Sequence, residues 1–325
     1  MQPLFGGMST RPERERPAIA IVGVPSSLGA PASGMEEAPT VLRCAGVAER
    51  LRSAGLAVQD WGDVPVPAPD PADNDRARNV QALRALAETT RARVGAALDE
   101  GLCPLVLGGD HSISLGSIAA SAAREPIGIL WLDAHGDFNT PATSPSGAVY
   151  GMVLAILAGL GPERLLGLAP PVPASRIAII GARALDPGER KNLHQAGVAV
   201  YTTEALRALG PEQVIERVLA SLTAAGARRL HVSLDLDVLD PSVAPGVWTR
   251  AADGLTLDEA RAALRAIAQS GRLAALDVTE LLPARDPDGA TTRAALQLIK
   301  AALATKRPTQ ALDWRATEAW LRSTA

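Results

Sequence analysis

A chain of 325 residues that is 47% hydrophobic and 21% charged can form one large α/β domain or two ordinary ones, and general disorder is excluded. With 32 Lys and Arg against 35 Asp and Glu, the net charge of −3 supplies no bulk attraction for nucleic acid. Aromatic residues make up only 3%, which leaves no stacking surface for bases, so no nucleic-acid partner is expected.

Residues 1–16, MQPLFGGMSTRPERER, read as a flexible, partly basic tail whose apolar stretch is too short for a secretory signal. From residue 17 to 325 no stretch has the composition of a linker, which predicts a single domain. Short runs of Ile, Val and Leu alternate there with Ala/Leu/Arg stretches of helical period. Strands are predicted over 18–24, 57–60, 105–107, 127–133, 176–180, 199–202, 230–235 and 273–277. Helices are predicted over 78–98, 113–123, 187–195, 211–224, 257–269 and 289–303. Strands that are continuously apolar, each followed by a helix, predict an α/β fold: a parallel sheet of about eight strands covered on both faces, in three αβα layers.

The longest apolar runs, such as 127–132, are strand-sized and far short of a membrane span. Cys44 and Cys103 are too few for a disulfide framework, and their apolar contexts predict buried thiols in a reducing compartment. A cytoplasmic protein is expected, with no membrane partner.

In open α/β sheets functional groups collect at the carboxyl ends of strands. LVLGGDHS ends one with Asp110 and His111; GILWLDAHGDFN ends another with Asp133, His135 and Asp137. HVSLDLDVLDP ends a third with Asp235, Asp237 and Asp240, and LAALDVTELLP a fourth with Asp277 and Glu280. Alternate residues of extended chain face the same way, so Asp133, His135 and Asp137 can converge, as can Asp235 and Asp237. Uncompensated carboxylates this close would repel, and divalent cations remove the difficulty. With His111 the set offers two imidazoles and four carboxylates, enough for two ions with bridging carboxylates. Oxygen donors with imidazole and no thiolate suit Mn²⁺ better than structural Zn²⁺, and leave Co²⁺, Ni²⁺ and Fe²⁺ open. Each motif alone has a plain structural explanation: GGDHS as a turn capped by Ser112 or Ser114, DxHxD as a solvated loop or capping cluster. Their coincidence on separate strands is what points to metal chemistry.

GGDHSISLGSI, WLDAHGDFNTP and SLDLDVLDPSVAPG resemble the three signatures of the ureohydrolases, the arginase–agmatinase family, in order and separation. The likeness extends to 34–43, 181–189 and 275–283, and through DFNTPxTSPSG it is greatest to bacterial arginases. The resemblance implies two Mn²⁺ per chain, one held by His111, Asp133, Asp137 and Asp235, the other by Asp133, His135, Asp235 and Asp237. It implies hydrolysis of the guanidino group of a small-molecule substrate to urea and an amine, with hydroxide generated near neutral pH by the metal pair. Asp137 matches the residue that passes a proton to the leaving amine, and Glu280 the acid that pairs with the guanidinium. Asn139, Ser146 and Asp186 match positions that hold the α-carboxylate and α-amino groups of arginine, and Thr249 is a looser match to a substrate-site threonine. Homo-oligomers, trimers or hexamers, are implied at family level.

The departures lie in the outer pocket. Ala148 stands where the arginase pattern has Asn, and Tyr150 replaces the imidazole regarded as the proton shuttle. A phenol of pKa about 10 is a poor shuttle near neutrality, so packing explains Tyr150 at least as well as catalysis. Trp248 and Arg250 replace a Gly-rich turn and are expected to add bulk and charge beside the pocket, and Leu282 replaces an Asn. Arginine, yielding ornithine and urea, is the first candidate substrate. The alternatives are an agmatinase- or guanidino-acid-type hydrolase with a rewritten pocket, and a catalytically impaired metal-binding homologue. A one-metal Zn deacetylase of similar fold fits less well, because His135 and Asp237 complete a second ligand set. His194 and His231 are assigned no role.

Overall fold

The computed structural model describes residues 18–70 and 76–304. The segment 1–16, set apart above as a tail, lies outside the described residues, as does 305–325. Eight strands form one all-parallel sheet: β1 (Ile19–Val24), β2 (Val58–Asp63), β3 (Cys103–Gly108), β4 (Ile127–Leu132), β5 (Ile177–Ala182), β6 (Ala199–Thr202), β7 (Arg229–Asp235) and β8 (Leu273–Thr279). Their spatial order is β2-β1-β3-β8-β7-β4-β5-β6. The chain builds β1–β3 on one side and β4–β6 on the other, then fills the gap with β7 and β8. That gap is where strand order reverses, the usual location of a site in such sheets.

Alternation along the strands divides the core. Ile19, Ile21, Leu105, Leu107, Leu130 and Leu132 face one helical layer, which contains α1 (Ala38–Cys44), α2 (Val47–Ser53), α8 (Pro211–Ala224), α9 (Leu257–Gln269) and α10 (Ala290–Leu303). Val22, Val24, Val106, Ile129 and Trp131 face the other, where α3 (Val80–Asp99), α4 (Ser114–Ala122) and α5 (Val153–Leu157) pack. The remaining helices are α6 (Pro187–Ala196) and α7 (Thr203–Leu209). The three-layer parallel α/β architecture is therefore observed.

Local chemistry accounts for the helix starts. Pro187 and Pro211 open α6 and α8, where a missing N–H costs nothing, and α9 has a Thr256–Glu259 capping box. Residue pattern also explains where the expectations fall short. The predicted strand 57–60 runs as Val58–Asp63, because the backbone keeps pairing with β1 through polar residues at an exposed sheet edge. The short helices α1, α2, α5 and α7 have too few turns to show a period. Cys44, expected to be buried, is exposed: Ala38 and Leu42 face the core one turn apart, which puts position 44 on the opposite side of α1, whereas Cys103 is buried as expected.

One close approach positions the site. A Cβ on Gly109, just past β3, would stand 1.8 Å from the carbonyl oxygen of Ser26 in the loop after β1. The same loop is joined to Asp110 by an N–H bond to Ser26 O (2.9 Å), and Glu280 N donates to Gly109 O (2.8 Å). Gly109→Ala is therefore expected to lower stability by about 1–3 kcal/mol through overpacking against backbone. Thermal unfolding checks it, and an unchanged midpoint would mean that the loop withdraws freely.

Candidate metal centre and its pocket

The four central strands β3, β8, β7 and β4 bring His111, Glu280, Asp235 with Asp237, and Asp133 with His135 and Asp137 to one edge of the sheet. After β3 the chain enters a single 3-10 turn, His111–Ile113, that leads into α4, and the cap of that turn is Asp110 rather than Ser112 or Ser114. Its carboxylate accepts from Ser112 N (2.8 Å) and Gly29 N (2.9 Å). That turn delivers His111 to the centre fully buried. The imidazole stacks on Trp131 with centroids 3.8 Å apart, and its Nε2 meets Ser233 Oγ at 2.8 Å. Its Nδ1 has no hydrogen bond, yet lies 3.2, 3.2 and 3.3 Å from carboxylate oxygens of Asp133, Asp137 and Asp235.

A second group adjoins the first through Asp133. Asp133 Oδ2 accepts from Trp131 Nε1 (2.9 Å) and faces His111, while Oδ1 accepts from His135 N (2.6 Å) and lies 3.3 Å from His135 Nδ1. Asp237 Oδ2 stands 3.0 Å from the same nitrogen, and its Oδ1 accepts from Ala134 N (3.1 Å). Asp235 Oδ1 accepts from Asp237 N (2.7 Å), which leaves Oδ2 toward His111. Backbone or indole N–H groups thus orient these aspartates, as donors behind a metal's ligands do. The ligand atoms of His111, Asp133 and Asp137 lie close enough together to hold a metal ion, and so do those of Asp133, His135 and Asp237.

The electrostatics demand positive charge. Burial, then the charge of Asp133, pushes the Asp137 carboxyl up to about 8. Burial likewise holds Asp235, Asp237 and Glu280 above the usual carboxylate range, with neighbouring aspartates adding to it. Burial would lower both imidazoles, but the surrounding carboxylates overcome it and hold both above their ordinary value. Asp133 is the exception: despite burial, His111 and His135 hold it below the usual range. A buried nitrogen without a hydrogen bond, aimed among clustered carboxylate oxygens, is the chemistry of a divalent-cation site, and the donors fit two ions sharing Asp133. Backbone strain sits here too. Asp137 (φ 47°) and Glu280 (φ 67°) are two of the four non-glycine residues with positive φ among the described residues.

A cavity of about 540 Å³ opens onto His135, Asp137, Asp235 and Asp237. Its wall carries every expected substrate position: Asn139, Ser146, Asp186 and Thr249, together with Ala148 and Tyr150. Glu280 sits deeper, 2% exposed, with Oε1 accepting from His111 N at 2.8 Å. Tyr150 OH meets Thr249 Oγ1 at 3.4 Å, and burial with the nearby Glu280 charge raises the phenol further, so it stays protonated. Trp248 and Arg250, expected beside the pocket, are absent from its wall. The Arg285 guanidinium lies 4.6 Å from the Trp248 ring and donates to Trp248 O, which holds the indole against that arginine, while Arg250 is exposed.

Arg183, Glu189 and Arg190 line the pocket without having been singled out. The Asp186–Glu189 capping box of α6 is legible in DPGE, whereas nothing local marks the two arginines. Asp277, expected at the strand end, instead points into the sheet's interior. It accepts from Ser117 Oγ (2.6 Å) and lies 3.0 Å from buried His231, because it sits two residues before the strand terminus. Asp240 caps its own turn through Ser242, and His194 is exposed.

A sequence profile described as the Arginase family matches residues 17–304. The arginase of Bacillus subtilis strain 168 is 38% identical over 292 residues, 89% of this chain and 98% of that protein. The solved arginase of Bacillus caldovelox superposes with a TM-score of 0.85 at 37% identity, covering 89% of this chain and 99% of that one. The arginase of Entamoeba histolytica, solved in complex with L-ornithine, superposes with a TM-score of 0.82 at 27% identity, covering 89% and 99%.

The charge arrangement sets a pH dependence for the metal-free protein. Asp137 titrates near 3.9 when unfolded and at about 8 when folded, so between those values the folded state holds a proton that the unfolded chain has lost. Stability from this group falls as pH rises through the window, and the raised histidines act in the same direction above about pH 6.5. Asp133, with its lowered pKa, acts only below about pH 4 and with opposite sign. The thermal midpoint of chelator-treated protein should therefore fall from about pH 5 to about pH 8, and Mn²⁺ should restore it. A midpoint indifferent to pH and to Mn²⁺ would contradict this.

Proposed function

The chain belongs to the arginase family of hydrolases, and on that premise we propose that it is a dimanganese amidinohydrolase acting on a small linear guanidino compound, arginine first, to give urea and an amine. The observation that carries the reading is the pair of donor groups joined by Asp133 at the floor of a substrate-sized cavity. His111, Asp133, Asp137 and Asp235 would hold one ion, and Asp133, His135, Asp235 and Asp237 the other. Mn²⁺ bound there would supply Lewis acidity and lower the pKa of water toward neutrality. Asp137, at the cavity floor, carries a proton between the attacking water and the leaving nitrogen. Glu280, fixed by the His111 N–H bond, receives the guanidinium, whose charge offsets the cost of burying that carboxylate.

Tyr150 acts as a wall, since a phenol this protonated neither takes nor returns a proton near neutrality. A second reading, a guanidino amine such as agmatine, is favoured by the missing side-chain donor at Ala148 in the pocket wall. Ala148 offers none, and one N–H of the Asn139 amide is given to Asp186 (2.9 Å), which leaves its second N–H and the O–H of Ser146, whose Oγ accepts from Ala148 N (3.2 Å).

Urea release from arginine, agmatine and guanidinobutyrate with Mn²⁺ at several pH values decides among these. Arginine should be turned over; turnover of agmatine alone would establish the second reading, and release from none would indicate an impaired homologue. Glu280→Gln should lower kcat/KM by roughly 10²-fold or more through loss of a buried charge pair. Tyr150→Phe should leave kcat within about tenfold, short of the ~10²–10⁴-fold of acid–base catalysis, and Tyr150→His should bring no gain with arginine.

A further inference from the structure

Two arginines stand in the pocket wall, and their commitments differ. The Arg183 guanidinium donates to the carbonyls of Gly181 (3.1 Å), Asp237 (2.7 Å), Val238 (3.1 Å), Leu239 (3.2 Å), Ala251 (2.9 Å) and Ala252 (2.9 Å). Five N–H donors facing six carbonyls leave nothing for a ligand. Arg183 is a clamp on the loop that carries Asp237.

Arg190 is the opposite case. It lies in the first turns of α6, is exposed, and makes no side-chain hydrogen bond or ion pair among the described residues. Neither acid beside it pairs with it. Asp186 accepts from Asn139 and shares the capping box, while Glu189 accepts from Phe138 N (2.9 Å) and Asp186 N (3.3 Å). A cation near a helix N-terminus has the wrong sign for the macrodipole, so helix stability does not explain it. Among the residues lining the cavity, Arg190 is the uncommitted permanent cation, and it lines the same cavity whose floor is Asp137 and Asp237.

We propose that Arg190 is a specificity-determining residue that anchors the carboxylate of a guanidino acid at the pocket mouth. The proposal rests on the amidinohydrolase reading above and names the substrate class within it. A guanidinium grips a carboxylate through two parallel N–H bonds, replacing the side-chain donor that Ala148 lacks and adding to those left on Asn139, which gives one N–H to Asp186, and on Ser146. The Asp186 carboxylate, on the same wall, suits an ammonium group. The mouth is therefore zwitterionic and matches an α-amino acid tail, which resolves the tension between arginine and agmatine in favour of the acid.

The test compares wild type, Arg190→Ala and Arg190→Lys, all loaded with Mn²⁺. KM is measured for arginine, guanidinobutyrate and agmatine. Calorimetric binding of ornithine and putrescine, the amines left by arginine and agmatine, reads the mouth without any chemistry. Arg190→Ala should weaken ornithine binding and raise KM for both carboxylate substrates by about tenfold or more, with agmatine and putrescine unchanged; Arg190→Lys should recover part of the loss. Manganese content and thermal midpoint should stay as in wild type. Equal effects on all ligands, no effect on ornithine, or no ornithine binding by wild type would each overturn the proposal. If wild type releases no urea but binds ornithine through Arg190, the hydrolase reading fails and the anchor stands.

Discussion

The structure depends on one constraint: carboxylates gathered at the buried carboxyl edge of a sheet need more positive charge than the two imidazoles among them supply. Two unit charges about 4 Å apart interact by about 4 kcal/mol at an effective dielectric of 20, whereas a backbone hydrogen bond returns about 1 kcal/mol net. The N–H bonds that orient Asp133, Asp235 and Asp237 therefore aim these groups and do not neutralise them. Protonation, as in the raised pKa of Asp137, offers one relief, and divalent cations the other.

Much around the centre follows from that demand. His111 is locked from three sides, by the Trp131 stack, by Ser233 and by its backbone N–H to Glu280, so only Nδ1 is left to face the carboxylates. Asp137 and Glu280 accept left-handed backbone conformations that ordinary side chains avoid, as expected where position matters more than local comfort. Arg183 holds the carbonyls on either side of the turn after β7, fixing Asp237 through its own backbone. The two-faced apolar core makes this possible, because a close-packed interior on both sides of the sheet holds the strand ends firmly in place.

The donor set was legible in the sequence because its signal is local. DAHGD and DLD place acids at alternate positions directly after an apolar run, and GGDH follows a third, so period and strand-end position suffice. The outer pocket was legible only through resemblance, and its new members were not legible at all. Arg183 and Arg190 reach the cavity because β5 and α6 meet the loops after β4 and β7, a tertiary fact that no window of sequence contains. The same cause misled the reading of Trp248, whose partner Arg285 lies 37 positions away, and of Asp277, whose partners His231 and Ser117 come from β7 and α4. Cys44 differs: the helical period of α1 already put it on the solvent side, but α1 was too short to be recognised.

On the proposed reading, the two donor groups joined by Asp133 hold two cations. Elemental analysis of the Mn²⁺-loaded, desalted protein, alongside Asp237→Ala, tests it most directly. Close to two ions per chain, falling toward one in the variant, is the result expected from the two groups. At most one ion in the fully loaded wild type would contradict it.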